Sequence, residues 1–145
     1  MHLYQEDYRQ TDQKMIQDIA TAINGEYSAI SCYAQLAQAA PNQEERNQIL
    51  EIRQDEINHF QAFSQIYTSL TGSQPTPQIT EPCPKDYRMG LEAALKDEQE
   101  TTDFYLDIAD RATNPMIRRS FRRAATDEQN HAVWFLYYVV RQIRR

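Results

Sequence analysis

The chain has 145 residues, 41% of them hydrophobic and 25% charged, with three glycines and a formal charge of −6. That length and apolar content suit one domain over residues 1–145 with one core, and so few glycines among so many charges favour long helices over a turn-rich β architecture. The negative balance excludes a general nucleic-acid binder, which needs a clustered excess of Lys and Arg, and no apolar run approaches the roughly eighteen residues of a membrane span.

The opening MHLYQEDYRQ is polar and acidic. It carries no apolar leader core, so the expectation is a loose N-terminus that includes His2, on a cytoplasmic protein. Inward-looking positions then recur at helical spacing through Ile16, Ile19, Ile23, Glu26, Ile30, Tyr33 and Ala37, which predicts a first helix ending near Ala40. Pro41 and Asn42 interrupt the pattern, and a second block runs Ile49, Ile52, Glu56, His59, Phe63, Ile66 and Leu70. Two such blocks form a helical hairpin.

From about residue 71 to 87 the prolines at 75, 77, 82 and 84 forbid a regular helix and predict an extended connector. The third block runs Leu91, Leu95, Glu98, Thr102, Tyr105 and Ala109. After a break at Thr113, Asn114 and Pro115 the fourth runs Ile117, Phe121, Ala124, Glu128, His131, Phe135 and Tyr138. Two hairpins joined by one long crossover make an all-α, ferritin-like antiparallel four-helix bundle.

The two halves repeat at an offset of 72, without a gap. Glu26 falls on Glu98, Tyr33 on Tyr105, Arg46 on Arg118, Asp55 on Asp127, Glu56 on Glu128 and His59 on His131. Residues equally far from an antiparallel turn lie at one height. The Glu26–Glu56 midpoint is Pro41 and the Glu98–Glu128 midpoint is Thr113, so all four carboxylates stand about 15 residues, roughly 22 Å, above their turns.

Each histidine follows a glutamate by three residues and so shares its helix face. Four Glu and two His therefore converge in the bundle interior, where unpaired carboxylates would cost several kcal/mol each unless protonated or neutralised by cations. Two divalent ions meet this requirement, and oxygen ligands with one imidazole per ion suit iron or manganese rather than a tetrahedral zinc site. The alternative is a metal-free polar core with its carboxylates partly protonated and hydrogen-bonded to the histidines.

The doubled Glu-x-x-His, each preceded by a Glu thirty residues upstream, resembles the rubrerythrin branch of the ferritin-like superfamily from Ile16 to about Val140. The resemblance implies that Glu26, Glu56, His59, Glu98, Glu128 and His131 hold two iron ions, or manganese, with Glu56 and Glu128 bridging. It implies an oxidoreductase that reduces peroxide or dioxygen with electrons from a separate donor protein. Iron handling by a ferroxidase centre and di-manganese peroxide dismutation are the alternatives, and a homodimer is expected by analogy. The chain departs from rubrerythrin proper in lacking a four-cysteine rubredoxin-like centre. It also has Thr101, with Ala29 as its repeat mate, where the family tends to carry an extra Glu.

Tyr33 and Tyr105 lie two turns beyond Glu26 and Glu98, where a phenol can cap a ligand carboxylate or simply fill the core. Asp55 and Asp127 can accept the second N–H of a ligand imidazole, on their own helix or across the bundle, or stand exposed. Cys32 and Cys83 read as free thiols, the first a small buried side chain and the second accessible in the connector. The basic run at Arg118, Arg119, Arg122 and Arg123 reads as a solvated helix face.

Overall fold

The computed structural model describes the backbone of residues 2–144 and the side chains of residues 13–144. Four helices follow one another: α1 (His2–Ala39), α2 (Gln43–Thr71), α3 (Tyr87–Arg111) and α4 (Pro115–Arg144). The ends are where local chemistry places them. Asn42 caps α2 by accepting from the Glu45 N–H at 2.9 Å, and Asp86 caps α3 by accepting from the Met89 N–H at 3.0 Å. Gly72 ends α2 in the left-handed conformation at φ 76°, which lets its N–H reach the Thr68 carbonyl at 2.8 Å.

The N-terminus differs from expectation. Helix α1 runs back to His2 rather than starting near Ile16. Residues 2–15 contain neither Pro nor Gly and are rich in Gln, Glu and Asp, so nothing breaks the backbone hydrogen bonding even though no apolar stripe announces a helix. The side chain of His2 lies outside the described residues.

Helices α1 and α2 form one hairpin and α3 and α4 the other, while α1 with α3 and α2 with α4 are the contacts between hairpins. The crossover between them docks along α1: the Gln78 N–H donates to Asn24 Oδ1 and the Thr80 N–H to Ser28 Oγ, both at 2.9 Å. Across each hairpin turn an arginine satisfies a terminal carbonyl of the preceding helix. Arg46 donates to Ala37 O at 3.1 Å and its repeat mate Arg118 to Ala112 O at 2.9 Å, so part of the basic run has a structural duty.

Two apolar clusters fill the bundle, one on either side of a polar middle layer. The first gathers Ile19, Ile23, Phe63, Tyr105, Ile108 and Phe121, with Phe63 and Phe121 stacked at 4.2 Å between ring centres. The second gathers Tyr33, Leu36, Ile49, Ile52, Leu91, Phe135 and Tyr138. The repeat organises both. Phe63 meets Tyr105 at 5.3 Å, and its mate Phe135 meets Tyr33 at 5.2 Å. Among the described residues no helix is long and apolar enough to cross a membrane.

Cys32 and Cys83 form a disulfide with a Cα–Cα distance of 5.4 Å, which corrects the reading of both as free thiols. The physical reason is the course of the crossover. Its contacts to Asn24 and Ser28 lay the Pro82–Cys83–Pro84 stretch beside the α1 face that carries Cys32, so a residue 51 positions away becomes a neighbour.

Candidate metal centre

The middle layer is made by the six predicted residues. Glu26 comes from α1, Glu56 and His59 from α2, Glu98 from α3, and Glu128 and His131 from α4, and all six are buried. His59 Nδ1 lies 3.2 Å from Glu128, 3.4 Å from Glu56 and 3.6 Å from Glu26. His131 Nδ1 lies 3.3 Å from Glu56, 3.5 Å from Glu128 and 3.6 Å from Glu98. Glu56 and Glu128 thus belong to both groups, and each histidine adds the glutamate from one outer helix.

The donor atoms face one another without conventional partners. Glu26 Oε2, Glu56 Oε1, Glu98 Oε2, Glu128 Oε1 and the Nδ1 atoms of both histidines are buried and make no hydrogen bond. An orphaned buried polar atom costs about 1–3 kcal/mol, so six around one point describe a cradle for cations. Two sets of four donors each lie within 4.8 Å of one another: Glu26, Glu56, His59 and Glu128, then Glu56, Glu98, Glu128 and His131. The donor set fits a pair of hard or borderline divalent ions.

The other oxygens of Glu26 and Glu98 and the Nε2 atoms of both histidines are held crosswise between the hairpins. The Tyr33 hydroxyl of α1 donates to Glu98 Oε1 of α3 at 2.6 Å, and the Tyr105 hydroxyl of α3 donates to Glu26 Oε1 of α1. His59 Nε2 on α2 meets Asp127 Oδ2 on α4 at 2.8 Å, and His131 Nε2 on α4 meets Asp55 Oδ2 on α2 at the same distance. An ionised carboxylate only accepts, so each Nε2 carries a proton and each Nδ1 is aimed at the glutamates. The aspartates serve the histidine across the bundle, a choice the sequence left open. Thr101 is only half-buried and makes no part of either donor set, while Ala29 is buried in the second apolar cluster.

Electrostatics sharpens the same picture for the metal-free cluster. Burial, then the charge on Glu56, pushes Glu26 and Glu128 well above the usual carboxylate range and raises Glu98 as well. Burial also acts to raise Glu56, but the nearby His131 and His59 imidazoles, with Nδ1 at 3.3 and 3.4 Å, overcome it and hold this carboxyl low. Burial works against charge on His131 too, yet Glu56 and Glu98 carry it up to about 11; His59 is raised likewise, chiefly by Asp127 and Glu128. Without cations, imidazolium groups and shared protons neutralise the glutamates.

One acidic group beside the centre escaped the sequence reading. Asp97, next to Glu98, is pushed up to about 8 by burial and by the neighbouring charges of Glu81 and Glu98. Its repeat mate is Gly25, so the repeat carried no signal for it. The signal for the disulfide was no better: two cysteines and a proline-rich segment, with no local geometry to pair them.

The bundle, its crossover and its carboxylate–histidine layer together define a ferritin-like di-metal carboxylate protein. The chain belongs to the rubrerythrin family, whose model matches residues 18–138. It is 53% identical over 137 residues to the uncharacterized protein YhjR of Bacillus subtilis (strain 168), covering 94% of each chain. Among solved structures it resembles Desulfovibrio desulfuricans bacterioferritin, described with a diiron site in different catalytic states, at a TM-score of 0.79 and 19% identity over 90% of this chain and 81% of that one. A hypothetical protein from Pyrococcus furiosus matches at a TM-score of 0.74 and 17% identity, over 86% and 87% of the two chains. At such identities these two likenesses concern the fold.

Proposed function

We propose that this chain is a cytoplasmic di-iron oxidoreductase that reduces peroxide or dioxygen with electrons supplied from outside the bundle. The observation that carries the reading is the pair of four-donor sets sharing Glu56 and Glu128, with six buried donor atoms left unpaired by the protein itself. Glu26, Glu56, His59, Glu98, Glu128 and His131 would hold a pair of iron ions, which would supply the redox chemistry for reducing the oxidant. The protein's part is to keep the ligand glutamates in place through Tyr33 and Tyr105, to aim the two Nδ1 atoms through Asp127 and Asp55, and to exclude water with the flanking apolar clusters.

A homodimer accompanies this proposal. Val133, Leu136, Tyr137 and Val140 lie exposed on α4, whereas their repeat mates on α2 are Gln61, Ser64, Gln65 and Thr68. The same bundle position is polar on one half and apolar on the other, which suits a second copy covering the α4 side.

The test is elemental analysis of protein purified without chelators, followed by anaerobic Fe(II) loading and peroxide addition. About two iron ions per chain, lost in a Glu56→Ala, Glu128→Ala variant, with peroxide turned over repeatedly only while a reductant is supplied and otherwise consumed only stoichiometrically, is the expected result. Bound manganese with peroxide dismutated in the absence of reductant would replace the reading by a catalase-type one. A folded chain that takes up neither metal would refute both.

A further inference from the structure

The crossover holds a redox-capable group that the centre described so far does not use. The disulfide joins Cys83, between Pro82 and Pro84, to Cys32 on α1, and both residues are only half-buried. The residue after Cys32 is Tyr33, whose hydroxyl donates to Glu98 at 2.6 Å. A small cavity of about 40 Å³ lined by Cys32, Tyr33, Glu81 and Asp97 separates the crossover from the bundle at this point. One residue therefore lies between a half-exposed disulfide and the centre's ligand layer.

A purely mechanical role explains this less well. The crossover is already docked on α1 by the Asn24 and Ser28 hydrogen bonds on its own approach to Cys83. In a reducing compartment, moreover, protein disulfides are usually transient and catalytic or redox-sensing rather than permanent clasps. Within these 145 residues the cysteines number two, and they form a pair rather than a four-thiolate iron centre. What it has is a pair of thiols that gives up two electrons, the number one peroxide takes.

We propose that Cys32 and Cys83 are a dithiol–disulfide couple that feeds two electrons per cycle to the carboxylate–histidine centre, so that the chain is a dithiol-dependent peroxide reductase. This rests on the oxidoreductase reading above and names its electron source. The two thiols lose two protons and two electrons as the S–S bond forms. Hydrogen peroxide takes up both pairs as its O–O bond breaks and two waters leave. An external dithiol then attacks the half-exposed disulfide, exchanges through a mixed disulfide and departs oxidised, returning both cysteines to thiols. The crossover is thereby the docking side for a dithiol reductant, and Tyr33 connects the couple to Glu98.

The experiment starts from chain reduced with dithiothreitol, freed of it anaerobically and loaded with Fe(II). Peroxide is titrated in, remaining thiols are alkylated, and intact mass reports the cysteine state. Wild type should consume about two peroxide equivalents, one for the metal pair and one for the dithiol, and end with the Cys32–Cys83 bond formed. Cys83→Ser should bind the same metal, keep its helicity and consume about one. The metal-free chain and the Glu56→Ala, Glu128→Ala variant should form the disulfide at least tenfold more slowly. If the iron is oxidised by peroxide while both thiols survive, or if thiol loss is as fast without metal, the couple is not a donor to the centre, though the di-iron reading stands. If the loaded iron does not react with peroxide at all, both readings fall together.

Discussion

Replacing Asp127 and Asp55 separately by alanine should weaken metal binding unequally, and the inequality follows from exposure. Each carboxylate accepts from a ligand histidine at 2.8 Å, but the Asp127 side chain is 16% exposed and that of Asp55 is 41% exposed. A hydrogen bond to a charged group contributes about 1.5–3 kcal/mol when shielded, and loss of such a supporting group typically lowers metal affinity about 10- to 100-fold. Water substitutes readily for Asp55, so Asp55→Ala should cost nearer about threefold to tenfold. The loss should also be confined to one ion: Asp127→Ala to the set containing Glu26 and His59, Asp55→Ala to the set containing Glu98 and His131. Asp127 also pairs with Arg123 at 3.1 Å, but the arginine is 79% exposed and its contribution is largely screened. Anaerobic calorimetric titration with Mn(II) resolves two binding steps and avoids oxidation. Equal losses, a larger loss for Asp55→Ala, or no loss in either variant would refute the assigned crosswise support.

The metal-free chain should lose stability as pH rises from about 6.5 towards 11. His131 is raised to about 11, so its contribution is complete below the ordinary histidine value and disappears through that window; the raised Glu26 and Glu128 act in the same direction, while the depressed Glu56 and Asp127 lose theirs only in acid. Metal binding requires those protons to leave, so affinity should rise over the same window; scanning calorimetry of the metal-free chain beside metal titrations would detect either slope running the other way. Tyr33→Phe and Tyr105→Phe each strip a buried glutamate of its phenol donor and should cost about 1–3 kcal/mol, seen as a matching fall in the chemical-denaturation free energy of the metal-free chain, with unchanged stability contradicting the hydrogen-bond assignment. Phe63→Ala removes a fully buried ring stacked on Phe121 and should cost about 3–5 kcal/mol by denaturant unfolding; a loss below about 1 kcal/mol would mean the cluster collapses into the space.

The centre was legible in the sequence because its requirements are periodic. Glu26, Glu56, Glu98 and Glu128 had to share a height once both hairpins turned at their midpoints, and the three-residue step from Glu to His is a property of any α-helix. The inward placement of Tyr33 and Tyr105 near the glutamate layer was readable for the same reason, as a side chain two turns along one face, but their bonds run crosswise, Tyr33 to Glu98 and Tyr105 to Glu26. What periodicity does not encode is which helix stands opposite which face. The crosswise choice of Asp55 for His131 and Asp127 for His59 depends on the α2–α4 contact, which no single helix specifies. The Cys32–Cys83 bond depends on where a proline-rich segment comes to rest, and that is set by two side chains of α1. The N-terminal extension of α1 had no apolar stripe to announce it, since a helix can be continued by backbone propensity alone.

The crosswise layer bears on how such a chain can come into being. Neither hairpin contains a complete donor set: the set with Glu26, Glu56 and His59 borrows Glu128, and the set with Glu98, Glu128 and His131 borrows Glu56. Yet each hairpin carries one copy of every element the other must borrow, at the same offset of 72. Two identical hairpins related by a two-fold axis would therefore assemble both ion sites at once, whereas one hairpin alone would assemble neither. The crossover makes permanent, within one polypeptide, a pairing that separate copies would form only at sufficient concentration. It also frees the halves to diverge, as the single disulfide and the one-sided apolar face of α4 record.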